Sequence, residues 1–502
     1  MAQPLGNRLP GIVVTITADA GLIAPFGFER FPCIIGKGDI EIPKERNLVV
    51  SHETAGGTDS LPDSAQTIYQ IGAAPGIITY DEIRDYTHTA GTNAIDWSPS
   101  GPSAKEPTAG TNYYVSYTVE MPTSAFEPIL YLDEDLMLQE RGIESIFSDT
   151  DLRNDLVTAA RLAFKNGATG VIVAQLDFKG ANTTIIPTAS TQWADPLDPT
   201  GDEMSTAYDV ADVKVDKIEE FKLWLVPLDP SSLPTVLDPL AEKTFPAGGD
   251  NNTRWYLHAI KASAPTEARE RTVFGVVPQG TRLSSLLDTA RGFRETGGGD
   301  RMVITGTKGL TDIEASAVAV SIFTRTGDIV PVSFLNAATA GLFSRSRIGA
   351  PNNSAAIGGV SVLDDWTIPE ARVLRGGGVI PYKVRANLTR MIIPISTDTT
   401  SAFTEDLSVQ DIADYLRGFI RLRLFDAFSN VNITADTEGS LIAALSSLLE
   451  GLIKDRILVA FTDIQATQRT DEPRKIDMRG KVKPAFPLRW IDVDLVFTAN
   501  IS

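Results

Sequence analysis

Residues able to do chemistry are few in this chain, and they do not gather. The histidines are His52, His88 and His258, far apart and in no H-x-x-x-H arrangement, so a zinc site of helical spacing finds no ligands. Cys33 is the sole cysteine, which excludes an internal disulfide and a cysteine-clustered metal. Inside the apolar run Phe31 to Ile35 its thiol reads as a small buried hydrophobe and not as a nucleophile. Asp133-Glu134-Asp135 could ligate a hard cation, but an EF-hand alternates its ligands and keeps a glycine at a fixed offset, and a solvated loop accounts for the three carboxylates. Gly306-Thr307-Lys308-Gly309 lacks the spacing of a phosphate-binding loop, Gly376-Gly377-Gly378 reads as a turn needing positive φ, and no G-x-S-x-G elbow occurs. The expectation is therefore no enzyme, no metal and no cofactor. What remains is charge on a helix face. Arg417 and Arg421 stand one turn apart on a helix expected from Asp411 to Phe425, opposite its apolar residues Ile412, Tyr415, Leu416 and Phe419. Such a pair either meets a partner or solubilises the helix and pairs with local acids such as Asp414.

The elements that must position these residues belong to several domains, since 502 residues exceed what one core serves. An apolar fraction of 43% and a charged fraction of 22% are those of a globular protein. No apolar run approaches the roughly 18 residues that span a bilayer, so membrane insertion is not expected. The first ten residues contain Pro4, Arg8 and Pro10 and no apolar stretch, so synthesis and assembly in a cytoplasm are expected, and the sequons at Asn182 and Asn432 carry no meaning. The formal charge of −19 argues against direct contact with nucleic acid. The acid is unevenly spread: 24 acidic against nine basic residues lie between Glu120 and Asp250, whereas Arg469 to Arg489 holds seven basic residues against three acidic ones. With a screening length of about 8 Å at physiological salt, the basic end acts only on direct neighbours.

Residues 41 to 120 read as a β-module: Ile77-Ile78, Asp85 to Thr89, Ala94 to Trp97 and Tyr113 to Val119 are short strands between Gly, Pro, Ser and Asn clusters. From Asp151 helix and strand alternate. Leu152, Leu156, Ala159, Ala160 and Ala163 fall at helical spacing, Asn166-Gly167 stops the helix, and Val171 to Ala174 is a buried strand. Strands at Val273 to Val277 and Met302 to Thr305, with helices at Ser284 to Phe293 and Asp312 to Arg325, complete a layered α/β region. Near the C-terminus Leu441, Leu445, Leu448, Leu449, Leu452 and Ile453 make an amphipathic helix, and Ile457 to Phe461 reads as a buried strand.

Both ends read as strands. Ile12, Val13, Val14, Thr15 and Ile16 are almost all β-branched, and Ile491, Val493, Leu495 and Phe497 alternate with Asp492, Asp494 and Val496. A lone terminal strand needs a sheet; pairing within its own domain and exchange between subunits both satisfy it.

The order of motifs resembles the tail sheath proteins of contractile phage tails and related particles. It is carried by Pro10-Gly11-Ile12-Val13-Val14, by Phe31-Pro32-Cys33-Ile34-Ile35-Gly36-Lys37-Gly38, by the alanine-rich helix Pro331 to Leu342 ending at a glycine, by Ile357-Gly358-Gly359-Val360, by Trp366 to Leu374 with the following glycine turn, and by Asp414 and Arg417 as a D-x-x-R element. The likeness covers about half of the chain well, is loose from Glu120 to Val330 and weakest from Asp39 to Val119. It implies an α/β (α+β) multidomain chain: an N-terminal arm at 1–20, a discontinuous inner core of 21–40 and 360–489, a β-rich outer insertion at 41–120, a middle α/β domain at 121–359 and a C-terminal arm strand at 490–502. It implies a structural subunit of a virion tail sheath: six per ring, stacked around an inner tail tube, bounded by baseplate and tail terminator proteins, contracting to drive the tube through a cell envelope. Exchange of the two arms would link subunits, and Arg417, Arg421, Lys454, Arg474 and Lys475 would face the tube. The sheath of a headless bactericidal particle and, from another class, a self-assembling surface array are the alternatives.

Overall fold

The computed structural model describes residues 16–18, 21–23, 30–36, 41–75, 77–98, 105–120, 126–141, 154–176, 211, 213–218, 222–228, 258–259, 270–275, 283–295, 301–306, 310–312, 332–346, 348–350, 352–362, 366–385, 388–428, 431–434, 436–471 and 475–486. In chain order the strands are β1 (Ile16–Ala18), β2 (Gly21–Ile23), β3 (Arg30–Gly36), β4 (Glu41–His52), β5 (Thr58–Gly72), β6 (Thr87–His88), β7 (Thr92–Asp96), β8 (Thr111–Glu120), β9 (Ile129–Tyr131), β10 (Val171–Gln175), β11 (Lys222–Pro227), β12 (Arg271–Phe274), β13 (Met302–Gly306), β14 (Leu310–Asp312), β15 (Ala356–Ile357), β16 (Val360–Val362), β17 (Val379–Arg385), β18 (Leu388–Met391), β19 (Leu458–Gln468) and β20 (Ile476–Pro484). The helices are α1 (Glu134–Arg141), α2 (Asp155–Lys165), α3 (Leu283–Glu295), α4 (Val332–Arg345), α5 (Ile368–Gly376), α6 (Ala402–Glu405), α7 (Leu407–Phe428) and α8 (Thr437–Lys454).

Continuous apolar runs, with no alternation to leave one face for water, form the centre. A nine-stranded sheet runs β15-β18-β17-β13-β12-β11-β3-β10-β9. From β17 to β10 every neighbouring pair is parallel, while β9, β18 and β15 add antiparallel edges. A parallel sheet must be covered on both sides, and it is. Ile34, Val173, Trp224, Val226 and Phe274 pack under α2 and α4. Phe31, Cys33, Ile35, Leu223 and Leu225 pack on Ala211, Val215 and Ala259, and α3 and α5 cover the β13 and β17 end. Burial pushes the Cys33 thiol up to about 12, so it is an inert core residue.

Asn154 caps α2 by accepting from Val157 N, and Gly167 at φ +99° closes its far end. The alanine-rich helix does not end at Gly341 as expected; α4 continues to Arg345. A Cβ at Gly341 would lie 2.3 Å from the Ala163 carbonyl oxygen, so the glycine serves the backbone-close packing of α4 on α2. Thr367 and Glu370 form a reciprocal cap on α5, with Pro369 in its first turn. The following turn places Gly378 at φ +85°, as its glycines required.

The β-module is a separate five-stranded antiparallel sheet, β4-β8-β5-β7-β6, around Trp97, Tyr113 and Tyr117. At the other end α7 and α8 pack through Ile412, Leu416, Ile420, Leu441, Leu445 and Leu449 and carry the hairpin β19–β20. Two expectations change. Asp312 closes strand β14 instead of opening a helix, and the remainder of 312–325 lies outside the described residues. The strand expected to be buried at Ile457 to Phe461 leaves Val459 53% exposed, because β19 has only one covered face. In the central sheet β3 sits in the middle and β17 pairs directly with β13, so the segment 30–36 and strands β17 and β18 share one layer with strands between 121 and 359.

Candidate functional site

Two features of the C-terminal region stand out from ordinary core. The first is a buried ionic joint between the sheet and α7. Parallel strands bring their N-terminal ends to one side, and Arg30 begins β3, Lys222 begins β11 and Arg301 precedes β13. Asp411, Asp414 and Arg417, three residues apart, line one face of α7. Lys222 Nζ lies 3.1 Å from Asp411 Oδ1 and 2.8 Å from Asp414 Oδ2. Arg30 Nη1 donates to Asp411 Oδ2 at 2.6 Å, and Arg301 Nη1 donates to Asp414 Oδ2. Arg30 also reaches Ser346 O just after α4. Burial by itself would push the Asp414 carboxyl up, but the charges of Arg301 and Lys222 outweigh it and hold the group below its ordinary value.

This joint corrects the reading of Arg417. Its side chain is 5% exposed and its charge is among those that lower Asp414, so it belongs to the joint and not to an open helix face. Arg421 lies one turn further along α7, and its side chain lies outside the described residues, as does that of Phe419. Lys454 is exposed at the end of α8, Lys475 is half-buried before β20, and Arg474 lies outside the described residues. D-x-x-R pointed to the correct helix; its partners, Arg30, Lys222 and Arg301, come from three distant strands, and no local spacing announces them.

The second feature is the hairpin. β20 alternates: Met478 and Pro484 are buried against the helices while Arg479, Lys481 and Lys483 are exposed. Its partner β19 likewise exposes Val459, Thr462, Gln465 and Thr467. Among the described residues the hairpin remains two-stranded, with no further strand on either edge. β1 and β2 form a small antiparallel pair, with β1 lying beside β20 and β2 beside α6 and α7. Of the set Ile12 to Ile16 only Ile16 is described, as the first residue of β1; Ile12, Val13, Val14 and Thr15 and the C-terminal set Ile491, Val493, Leu495 and Phe497 lie outside the described residues. Among those described, no helix is long and apolar enough to cross a membrane, and no cluster of three or more metal-ligating side chains occurs.

Solved structures to which this chain is similar include several sheath proteins. The helical sheath of the anti-feeding prophage in its contracted state is 13% identical, with a TM-score of 0.48 over 98% of this chain and 99% of that one. The sheath complex of an extracellular contractile injection system in its contracted state gives 13% and 0.47, covering 74% of this chain and 87% of that one. The sheath tail protein from Desulfitobacterium hafniense gives 11% and 0.42, covering 94% and 100%. A family model described as a domain of unknown function, DUF4815, matches residues 28–125, which span β3 and the β-module. No curated protein matches the chain in sequence.

Proposed function

We propose that this chain is the sheath subunit of a contractile tail or tail-like particle, polymerising as stacked six-membered rings around an inner tube and contracting to drive that tube through a cell envelope. The observation that carries the reading is the β19–β20 hairpin: a half-covered, two-stranded sheet whose edges carry no further strand among the described residues, with the N-terminal strand β1 beside it. An open edge invites strand addition. The alternating segment Ile491 to Phe497 of one neighbour and the Ile12 to Ile16 arm of another are the strands to add. Backbone hydrogen bonds contribute roughly 0.5–1.5 kcal/mol each, so a paired arm keeps subunits linked while their folded bodies rotate past each other. The motif order in the sequence supports the same reading, and the absence of a phosphate-binding loop from the sequence fits a machine that stores energy in its assembly.

In this reading Lys454 and Lys475, with Arg421 and Arg474, face an acidic tube, baseplate and terminator proteins bound the polymer, and the β-module lies outermost. Deleting residues 490–502 tests it. The truncated chain should stay folded and monomeric by circular dichroism and sedimentation while the intact chain forms hollow tubes or rings under the electron microscope. Tubes from the truncated chain would refute strand exchange, and unfolding would show that the segment completes its own domain.

A further inference from the structure

We propose that the β-module contains a proton-operated latch centred on His52. His52 ends β4 with its side chain fully buried, and its Nδ1 lies 2.9 Å from Oδ2 of Asp59, itself 7% exposed. The same carboxylate oxygen accepts from Trp97 Nε1 at 2.8 Å and Tyr113 Oη at 2.9 Å. A carboxylate at that distance requires Nδ1 to carry the hydrogen, which leaves Nε2 of the neutral ring as a bare lone pair. Among the described residues no donor meets that buried atom. What faces it is a second acceptor, Glu106 Oε2, at 3.9 Å. An acceptor opposite an acceptor suits a neutral imidazole poorly and an imidazolium well.

A proton taken up at Nε2 turns this mismatch into a charge-assisted hydrogen bond, after a shift of about 1 Å to reach normal donor–acceptor distance. Glu106 has room for it, since its side chain is 38% exposed. Glu106 Oε2 also accepts from Gly56 N at 2.7 Å, in the turn joining β4 to β5. Protonated His52 therefore ties together Asp59, the β4–β5 turn and the segment leading into β8. The other groups around the ring do not compete: burial pushes the Tyr113 phenol up, so it stays neutral, and Trp97 packs edge-on at 5.6 Å. The neighbouring Glu53 is exposed. The module thus fastens in acid and loosens toward neutrality.

The test uses the full-length chain in a chelating buffer. With three histidines, each imidazole C2 proton resonance is assignable by single substitution. Backbone hydrogen exchange over residues 105–111, corrected for intrinsic rate, is followed from about pH 7.5 to about pH 5.5, the range in which histidine charges. Protection should rise about tenfold on the acid side, the gain of one charge-assisted hydrogen bond, in step with the His52 resonance. Glu106→Gln, at a partly exposed side chain, should leave the fold in place and remove most of that rise. A flat protection profile, an equal rise in Glu106→Gln, or a His52 resonance that stays fixed until the protein unfolds would each overturn the proposal.

Discussion

The central sheet and the β19–β20 hairpin draw on similar apolar residues and treat them oppositely. Every residue of β11 and β13 is buried, whereas β20 shows Arg479, Lys481 and Lys483 on the face away from the helices. Charge follows the same division. The sheet meets α7 through cations and carboxylates closed off from water, and the hairpin keeps its cations in solvent. Strands closed on both faces hold one subunit together; a strand closed on one face has an edge and a surface left for another chain.

The largest test of that division lies at the joint. Asp414→Ala removes the carboxylate shared by Lys222 and Arg301 and should cost about 3–5 kcal/mol, as for a buried pair deprived of one partner, read from urea denaturation. A loss under about 1 kcal/mol would place the joint among solvated ion pairs. Because the folded-state value of Asp414 is depressed, its contribution is present above the ordinary carboxylate range and disappears as pH falls through the folded value. The wild-type chain should therefore lose stability on the acid side more steeply than the variant. Next in size, Gly341→Val pushes a side chain against the Ala163 backbone and should destabilise by about 1–3 kcal/mol. An unchanged melting temperature would show that α2 and α4 can separate freely. The smallest effect belongs to the hairpin. Lys481→Glu with Lys483→Glu should move stability by no more than about 0.5 kcal/mol, since the Lys481–Asp463 pair is mostly exposed, yet it should impair polymer formation as seen by electron microscopy. Variants that assemble normally would return the hairpin face to plain solvent.

Elements whose signal is local were legible in the sequence. The leucine spacing from Leu441 to Leu452 became the buried face of α8, Asn166-Gly167 stopped α2 as expected, and the turn-rich stretch 41–120 became its own β-sheet. Signals that depend on distant partners were not. Phe31 to Ile35 announces a buried strand, but nothing in it says that its neighbours are β10 and β11. For Arg417 the helical spacing leaves a partner and pairing with Asp414 both open, because a helical wheel sees only its own helix, and the opposing Arg30, Lys222 and Arg301 arrive from elsewhere in the chain. Gly341 looked like a helix stop because glycine usually is one; the helix it packs against determined otherwise. The run at Ile457 looked buried because short apolar stretches do not reveal how many faces are covered.

The central place of β3 has a consequence for how the chain is made. Ile34 takes its pairing from Val173 on one side and Val226 on the other, so this early segment leaves the ribosome long before either neighbour exists. Until β10 emerges, an apolar strand with no partner waits as nascent chain. Long-range parallel pairing of this kind is slow to form and exposes sticky edges meanwhile. Productive yield in a cell should therefore hinge on holding factors that shield the first tens of residues, and overexpression that outruns them should fill inclusion bodies before the assembly machinery is ever reached.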